Sequence, residues 1–278
     1  MPAVFHGIFN TGKLMSELIQ KILKKKWFYA FELPSGEVTE CYLEDPTMAV
    51  HSTRLSMLGS VLNARYHGKW HTSSAVDLAC HEGYFACQLA AKGVKVTGLE
   101  ARQEHVDDAN LIAKGMQLDD KFHAKCVDIH DVTAKAQGEF DIVLMLGLIY
   151  HLENPVGAIR TAYSLTQDVC FIETQVAPNL SGQIDWGNYQ FVKPMKGSFA
   201  VVDETYEVDG PEMSQTGICL APSIEALVWI MQTIGFKNVA VIKPPDGAYE
   251  QHRYKKRVMV VGYKHPQRFA RLPPMPSI

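Results

Sequence analysis

From Ser74 onward the chain takes up one rhythm, a short apolar run, a turn, then a helical pattern, with five apolar runs in all. SAVDLA (74–79) reads as a strand, and 84–91 as a helix closed by Gly93. VKVTGLE (94–100) is a second strand, followed by a helix over 103–114 that ends at Gly115. KFHAKCVD (121–128) is a third. FDIVLMLGLI (140–149) is a fourth, after which Asn154-Pro155 caps a helix to about Leu165. DVCFIETQV (168–176) is a fifth. Strands alternating with helices of this length imply parallel βαβ units, with helices on both faces of one sheet. FKNVAVIK and RVMVVGYK add two late strands. The expected fold is therefore α/β: a Rossmann-like, doubly wound, mostly parallel sheet of about seven strands.

The flanking segments follow other patterns. Leu14, Leu18, Ile19, Ile22 and Leu23 recur at helical spacing within 12–25, and Lys24, Lys25 and Lys26 suit a solvated helix end. WFYAFEL and EVTECYL flank Pro34-Ser35-Gly36 and predict a hairpin over 27–44. Asp45 then suits an N-cap and Pro46 a first helical position, for a helix to about Arg65. Residues 1–70 thus read as a helix–hairpin–helix extension of a domain over 71–264. Residues 178–216 break the rhythm and carry Trp186, Tyr189, Phe191, Phe199 and Tyr206. So long an interruption reads as an insertion or lid. Ser223 and Gly235 bound a further helix, and the proline-rich stretch 265–278 reads as an extended tail.

Composition narrows the function classes. The formal net charge of −3 gives no bulk attraction to nucleic acid. Six dispersed cysteines form no C-x-x-C, so no metal site or redox motif is expected, and a reduced, cytoplasmic setting fits best. The N-terminus lacks the order of a signal peptide, and no apolar run approaches the ~18 residues of a membrane span.

The residues that carry chemistry stand at strand ends. In VDLACHEGYFACQLAAKG a strand gives way to a turn and a helix, where a doubly wound sheet binds nucleotide-like ligands. Gly83 allows close backbone approach, and the helix start offers N–H groups. Glu100 stands 23 residues after Asp77, a position from which a carboxylate accepts hydrogen bonds from ribose hydroxyls. The competing role is an exposed strand-end acid. A nicotinamide dehydrogenase fits less well, because DLACHEG lacks the glycine pattern that approaches a pyrophosphate.

The same stretch resembles motif I of the class I S-adenosylmethionine-dependent methyltransferases, hydrophobic-D-x-G-x-G-x-G. Here Ala79 and His81 stand at the first two glycine positions and Gly83 at the third. Ala79 costs little provided the backbone there is not left-handed; the His81 side chain must point away from the cofactor or touch it. FDIVLMLGLIYHLENP resembles the FDxVxxxGVLYHxxxP segment of these enzymes, including the branch that carboxymethylates the tRNA wobble uridine. WFYAFELPSGEVTE resembles the opening of that branch, and PSIEALVWIMQTIGF with RVMVVGYK its C-terminal part. The resemblance covers roughly 27–45 and 74–264.

The resemblance implies S-adenosyl-L-methionine as cofactor. It implies binding positions at Asp77, Ala79, His81, Gly83, Tyr84 and Phe85 in the first turn, and at Glu100 and Ala101 on the ribose. It implies Asp128 and Ile129 (or Val127) at the adenine, and Leu146 and Gly147 at the end of the fourth strand. Tyr150 and His151 are the expected catalytic pair. His151 can take a proton from a nucleophile, or it can simply close its turn. Glu173 and His51 are other candidate bases. The carboxymethylating branch uses a carboxylated cofactor, whose extra charge needs cationic or hydrogen-bonding partners; Tyr150 matches one such position. Residues 51–70 do not resemble that branch. Arg253, Lys255, Lys256 and Arg257 read as a solvated hairpin rather than an RNA surface, and the aromatic insertion suits a small-molecule lid. The expected activity is methyl transfer to O or N of a small-molecule acceptor, with no membrane partner. tRNA modification and a catalytically silent scaffold are the alternatives.

Overall fold

A computed structural model describes residues 5–44, 47–185, 192–206, 210 and 212–266. The strands are β1 (Ser74–Leu78), β2 (Lys95–Glu100), β3 (Phe122–Cys126), β4 (Phe140–Leu146), β5 (Thr166–Gln175), β6 (Gly182–Asp185), β7 (Val192–Met195), β8 (Phe199–Asp203), β9 (Ile218–Pro222), β10 (Lys237–Val241) and β11 (Arg257–Tyr263). The helices are α1 (Phe5–Leu23), α2 (Ala49–Tyr66), α3 (Tyr84–Ala90), α4 (Gln103–Gly115), α5 (Ala134–Gln137), α6 (Pro155–Leu165), α7 (Ile224–Ile234) and α8 (Glu250–Arg253).

Seven strands form one sheet in the order β10-β11-β5-β4-β1-β2-β3. β5, β4, β1, β2 and β3 are parallel, and β11 is antiparallel to both its neighbours. β1, β4 and β5 read as continuous apolar runs because helices cover both of their faces. One core layer joins the sheet to Ile22, Trp27, Phe31, Met57, Leu62, Phe85 and Ile112, and the other joins it to Ile159, Leu165, Leu227 and Met231. Strand order reverses between β1 and β4, which opens a crevice at their carboxyl ends. No helix among the described residues is long and apolar enough to cross a membrane.

The structure departs from the sequence expectations at the edges. The hairpin over 27–44 is not a ladder. It keeps one antiparallel bridge, Glu32 to Val38, and one parallel bridge, Trp27 to Cys41. Its alternation survives, with Trp27, Tyr29, Phe31 and Leu33 buried. Some backbone donors still cross it, Trp27 N–H to Glu40 O and Thr39 N–H to Phe31 O among them, while Phe31 N–H goes to Thr39 Oγ1 and the Phe28 and Tyr29 N–H groups leave it for the Glu82 carboxylate. α2 starts at Ala49, without a side-chain cap, rather than at Pro46; Asp45 and Pro46 lie outside the described residues. The third strand stops at Cys126, leaving Asp128 in the following turn, where its side chain caps a short 3₁₀ helix. The insertion is more regular than its composition suggested: β6 pairs with β7, and β8 with β9. Trp186, Tyr189 and Phe191 lie outside the described residues, as does the tail from 267.

Candidate functional site

The turn after β1 is fastened to the end of β2. Ala79 and Cys80 N–H both donate to Leu99 O, at 2.7 and 3.2 Å, and His81 N–H donates to Glu100 Oε2 at 3.0 Å. To make these bonds the backbone turns left-handed at Ala79 (φ 57°), His81 (φ 51°) and Gly83 (φ 78°). The condition under which Ala79 costs little is therefore not met: a left-handed residue with a Cβ costs about 1–2 kcal/mol. Gly83 is required twice over, since a Cβ there would stand 2.5 Å from the Phe122 ring.

A cavity of about 940 Å³ lies along the strand ends. Ala79, His81, Glu100, Ala101, Asp128, Ile129, Leu146, Gly147, Tyr150 and His151 line it. Asp77, Gly83, Tyr84 and Phe85 do not. Asp77 is buried beneath the turn, where burial, and then the Glu100 charge, push its carboxyl up to about 7. Tyr84 stacks on Tyr29 at 4.9 Å and Phe85 meets both rings edge-on, so these two seat the N-terminal segment.

At one end of the cavity Glu100 is buried, yet it stays ionised. Burial alone would raise its pKa, but hydrogen bonds from His105 and from the Arg102 and His81 backbone hold it below the usual range. Asp128 Oδ1 accepts the His130 N–H at 2.8 Å. The His81 ring lies 3.9 Å from that of His105, and both its nitrogens are buried without a partner. Burial, then His105, lower its pKa to about 3, so the ring is neutral.

The opposite end is a charged network. Gly147, with φ 77°, lets Arg54 approach: a Cβ would stand 3.0 Å from Arg54 Nη2. Arg54 Nη2 pairs at 2.7 Å with Glu173, which is fully buried. Arg257 Nη1 lies 3.4 Å from Glu173, and its Nη2 donates to Tyr150 OH at 2.8 Å. His252 Nε2 stands 3.1 Å from Glu173. Burial would raise the Glu173 pKa, but Arg54 and then Arg257 hold it far below the carboxylate range. Glu173 is thus a fixed counter-ion off the cavity wall, not a base. His51 is not one either: it packs among Phe28, Tyr29 and Tyr84, and burial lowers its pKa to about 3. Of the predicted basic cluster, Arg253, Lys255 and Lys256 are exposed, but Arg257 turns inward.

His151 sits on a 3₁₀ turn after β4, its ring 4.0 Å from Tyr150. Its Nδ1 lies 2.9 Å from Glu204 Oε2. Glu204 comes from the insertion, which crosses the cavity and is tied to the far end by Arg102 Nη2 donating to Met213 O at 3.0 Å. Tyr42 OH also donates to Glu212. Among the described residues one group gathers potential metal ligands: His151, Glu204 and Cys219, with ligand atoms within 4.8 Å. Burial holds the Cys219 thiol up at about 11. Sequence reasoning missed Arg54, Glu204 and His105, and misplaced Arg257.

Comparison with known proteins bears on the family and the fold. A family model described as a methyltransferase domain matches residues 70–241. A ubiquinone biosynthesis O-methyltransferase of Psychrobacter cryohalolentis is 25% identical over 101 residues, which is 36% of this chain and 39% of that protein. The chain therefore spans about two fifths of the length of such curated relatives. The N-terminal domain of EvdMO1, solved in the presence of SAH and D-fucose, superposes with a TM-score of 0.60 at 18% identity, over 91% of this chain and 96% of that one. The [4+2]-cyclase SpnF superposes with a TM-score of 0.52 at 13% identity, over 92% and 94%. These two share the fold, and the second warns that this fold hosts more than one chemistry.

Proposed function

The chain belongs to the methyltransferase domain family, and from that premise we propose that it transfers a methyl group from S-adenosylmethionine to an oxygen or nitrogen of a small-molecule acceptor. One observation carries this reading: a single cavity runs from the ionised Glu100 to the Tyr150–His151 pair. Its volume of about 940 Å³ sits at the upper end of the ~300–1,000 Å³ of ligand pockets, enough for a nucleoside-sized cofactor and a second small molecule.

The residues fit the cofactor. Glu100 offers lone pairs to the ribose hydroxyls beyond those spent on His81 and Arg102, and Asp128 and Ile129 flank the adenine. Ala79, Leu146 and Gly147 line the methionine portion. The unpartnered nitrogens of His81 lie on this wall and find a polar partner when it is filled. When bound, the sulfonium supplies an already activated methyl group. The protein's own task is to hold the nucleophile in line and exclude water. Tyr150, fixed by Arg257, lines the acceptor side, and His151 receives the nucleophile's proton. In this reading residues 71–264 form the catalytic unit, 1–70 extend it, and 178–216 act as the lid.

A second reading, carboxymethyl transfer as in the wobble-uridine branch, is favoured by one observation. The Arg257 guanidinium bonded to Tyr150 offers a cationic wall for an added carboxylate. Calorimetric titration with S-adenosylmethionine and its carboxylated form separates the two. Tighter binding of the plain cofactor, with label transfer from methyl-labelled cofactor to a small hydroxylated acceptor, supports the first reading. Preference for the carboxylated form moves the second ahead. Binding without turnover on any acceptor class leaves a silent scaffold, and binding of neither sinks both enzyme readings.

A further inference from the structure

Nothing in the methyl-transfer reading uses the carboxylate of Glu204, yet the insertion is built to deliver it. Glu204 directly follows β8, and its N–H donates to Gly217 O at 2.9 Å, closing the β8–β9 hairpin behind it. β9 is in turn attached to the turn that bears His151: Leu220 N–H donates to Leu152 O at 3.1 Å. The two segments are therefore tied into one piece by backbone hydrogen bonds.

Within that piece the carboxylate has two partners. Both oxygens face His151 Nδ1, at 3.0 and 2.9 Å, and Oε2 also accepts the Ser214 N–H at 2.9 Å. Both side chains are largely buried, with 15% and 11% of their surface accessible, so water competes poorly for either. An ionised carboxylate can only accept hydrogen bonds, so the proton on the neutral imidazole belongs to Nδ1. The lone pair is then on Nε2, the form of the ring that can take a proton. Cys219, the third group nearby, stays a protonated thiol and can donate to the same carboxylate.

We propose that Glu204 is the positioning residue of the site: it locks His151 in the Nδ1–H tautomer, with Nε2 held ready as the general base for a protic acceptor. The inference rests on the methyl-transfer reading. In the step it serves, the acceptor's lone pair forms the new bond to the methyl carbon. The carbon–sulfur bonding pair returns to sulfur, and the acceptor's proton passes to Nε2. The imidazolium so formed is stabilised by Glu204 without a second proton transfer. The substrate class follows: a hydroxyl or N–H nucleophile, not a tertiary amine or a thioether, which have no proton to give.

The test is long-range ¹H–¹⁵N correlation on full-length protein labelled with ¹⁵N-histidine and loaded with S-adenosylhomocysteine. The His151 signals are identified by their loss in His151→Asn. The expected result is a protonated Nδ1 and an unprotonated Nε2 at pH 7.5. In Glu204→Gln the two nitrogens should move to averaged shifts of mixed tautomers, while the other histidines keep theirs. A proton on Nε2 in the unaltered protein overturns the proposal, and so does an unchanged spectrum in Glu204→Gln. A metal-type shift at Nδ1 that disappears with EDTA also overturns it, and makes His151, Glu204 and Cys219 a metal site. If Glu204→Gln does not fold, the spectrum of the unaltered protein still decides. The tautomer is read without turnover, so its failure and the failure of the methyl-transfer reading are told apart.

Discussion

The two ends of the cavity are built by different rules. The end at Glu100 is made of neighbouring strand termini: the turns after β1, β2 and β3 each place residues on the wall. Its main links are backbone N–H groups given to a carboxylate or carbonyl. The end at His151 is made of side chains from five separate places: Arg54 on α2, Tyr150 and His151 after β4, Glu173 on β5, Glu204 in the insertion, and Arg257 on β11. The first end is fixed by local backbone geometry and suits a ligand common to many proteins. The second exists only once the whole chain is assembled.

The contrast can be broken most forcefully at Glu173. Removing it in Glu173→Ala leaves Arg54 and Arg257 buried without their counter-ion, a loss of about 3–5 kcal/mol. That corresponds to a fall in melting temperature of roughly 6–20 °C. A fall below about 2 °C would show that the charged end does not depend on its centre.

Glu100→Ala probes the other end, and its effect should appear in ligand affinity. Calorimetry should find S-adenosylmethionine binding weakened by about 1–3 kcal/mol, roughly five- to 150-fold. Unchanged affinity refutes the ribose assignment.

A pH series of thermal melts compares the buried titratable groups. His51 and His81, with pKa values lowered to about 3, stay neutral in the fold but take protons when unfolded below about 6.5. Alone they make stability fall as pH drops from 6.5 to 3. Asp77 and Glu82, raised to about 7 chiefly by burial, act oppositely. Protonated in the fold and ionised when unfolded, they add stability as pH falls from about 7 to about 4.5. The two pairs offset each other in that window. Below it the carboxyls are protonated in both states, while the histidines and the depressed Glu173 still bind more protons unfolded. The melting temperature should therefore change little between pH 6.5 and 4.5 and fall steeply below 4. A steady decline from pH 7 would contradict the burial assigned to Asp77 and Glu82.

The smallest effect belongs to Ala79→Gly. Relief of the left-handed strain is worth about 1 kcal/mol, a rise in melting temperature of roughly 2–4 °C. A lower melting temperature would mean that the Ala79 methyl packs better than its backbone is strained.

The legibility of the sequence follows the same division. The five-strand rhythm, the Ser223 and Asn154 caps and the strand-end acid Glu100 are local patterns, and each lies where reasoning along the chain placed it. Of the resemblance-based positions in the first turn, Ala79 and His81 line the cavity; Asp77, Gly83, Tyr84 and Phe85 shape the turn from behind. Arg54 was invisible because a buried arginine reads like an exposed one until its partner is known, and that partner lies on another element. Arg257 opens an apolar strand but adjoins three exposed cationic or polar residues, so its inward turn left no mark. Glu204 sits in a polar loop whose path depends on a hairpin that composition did not reveal.

The position of β11 sets conditions on how the molecule comes into being. This strand follows all others of the sheet in chain order, yet it lies inside the sheet, between β5 and β10. A nascent chain that has emerged only as far as Lys256 has β5 exposed along one edge and Glu173 without one of its partners, Arg257 on β11. Such an unpaired edge invites pairing with the wrong chain. Stable structure should therefore arrive late in synthesis, and the same stretch of chain that seals the sheet brings the cation that holds Tyr150. Completion of the fold and completion of the charged end are a single event.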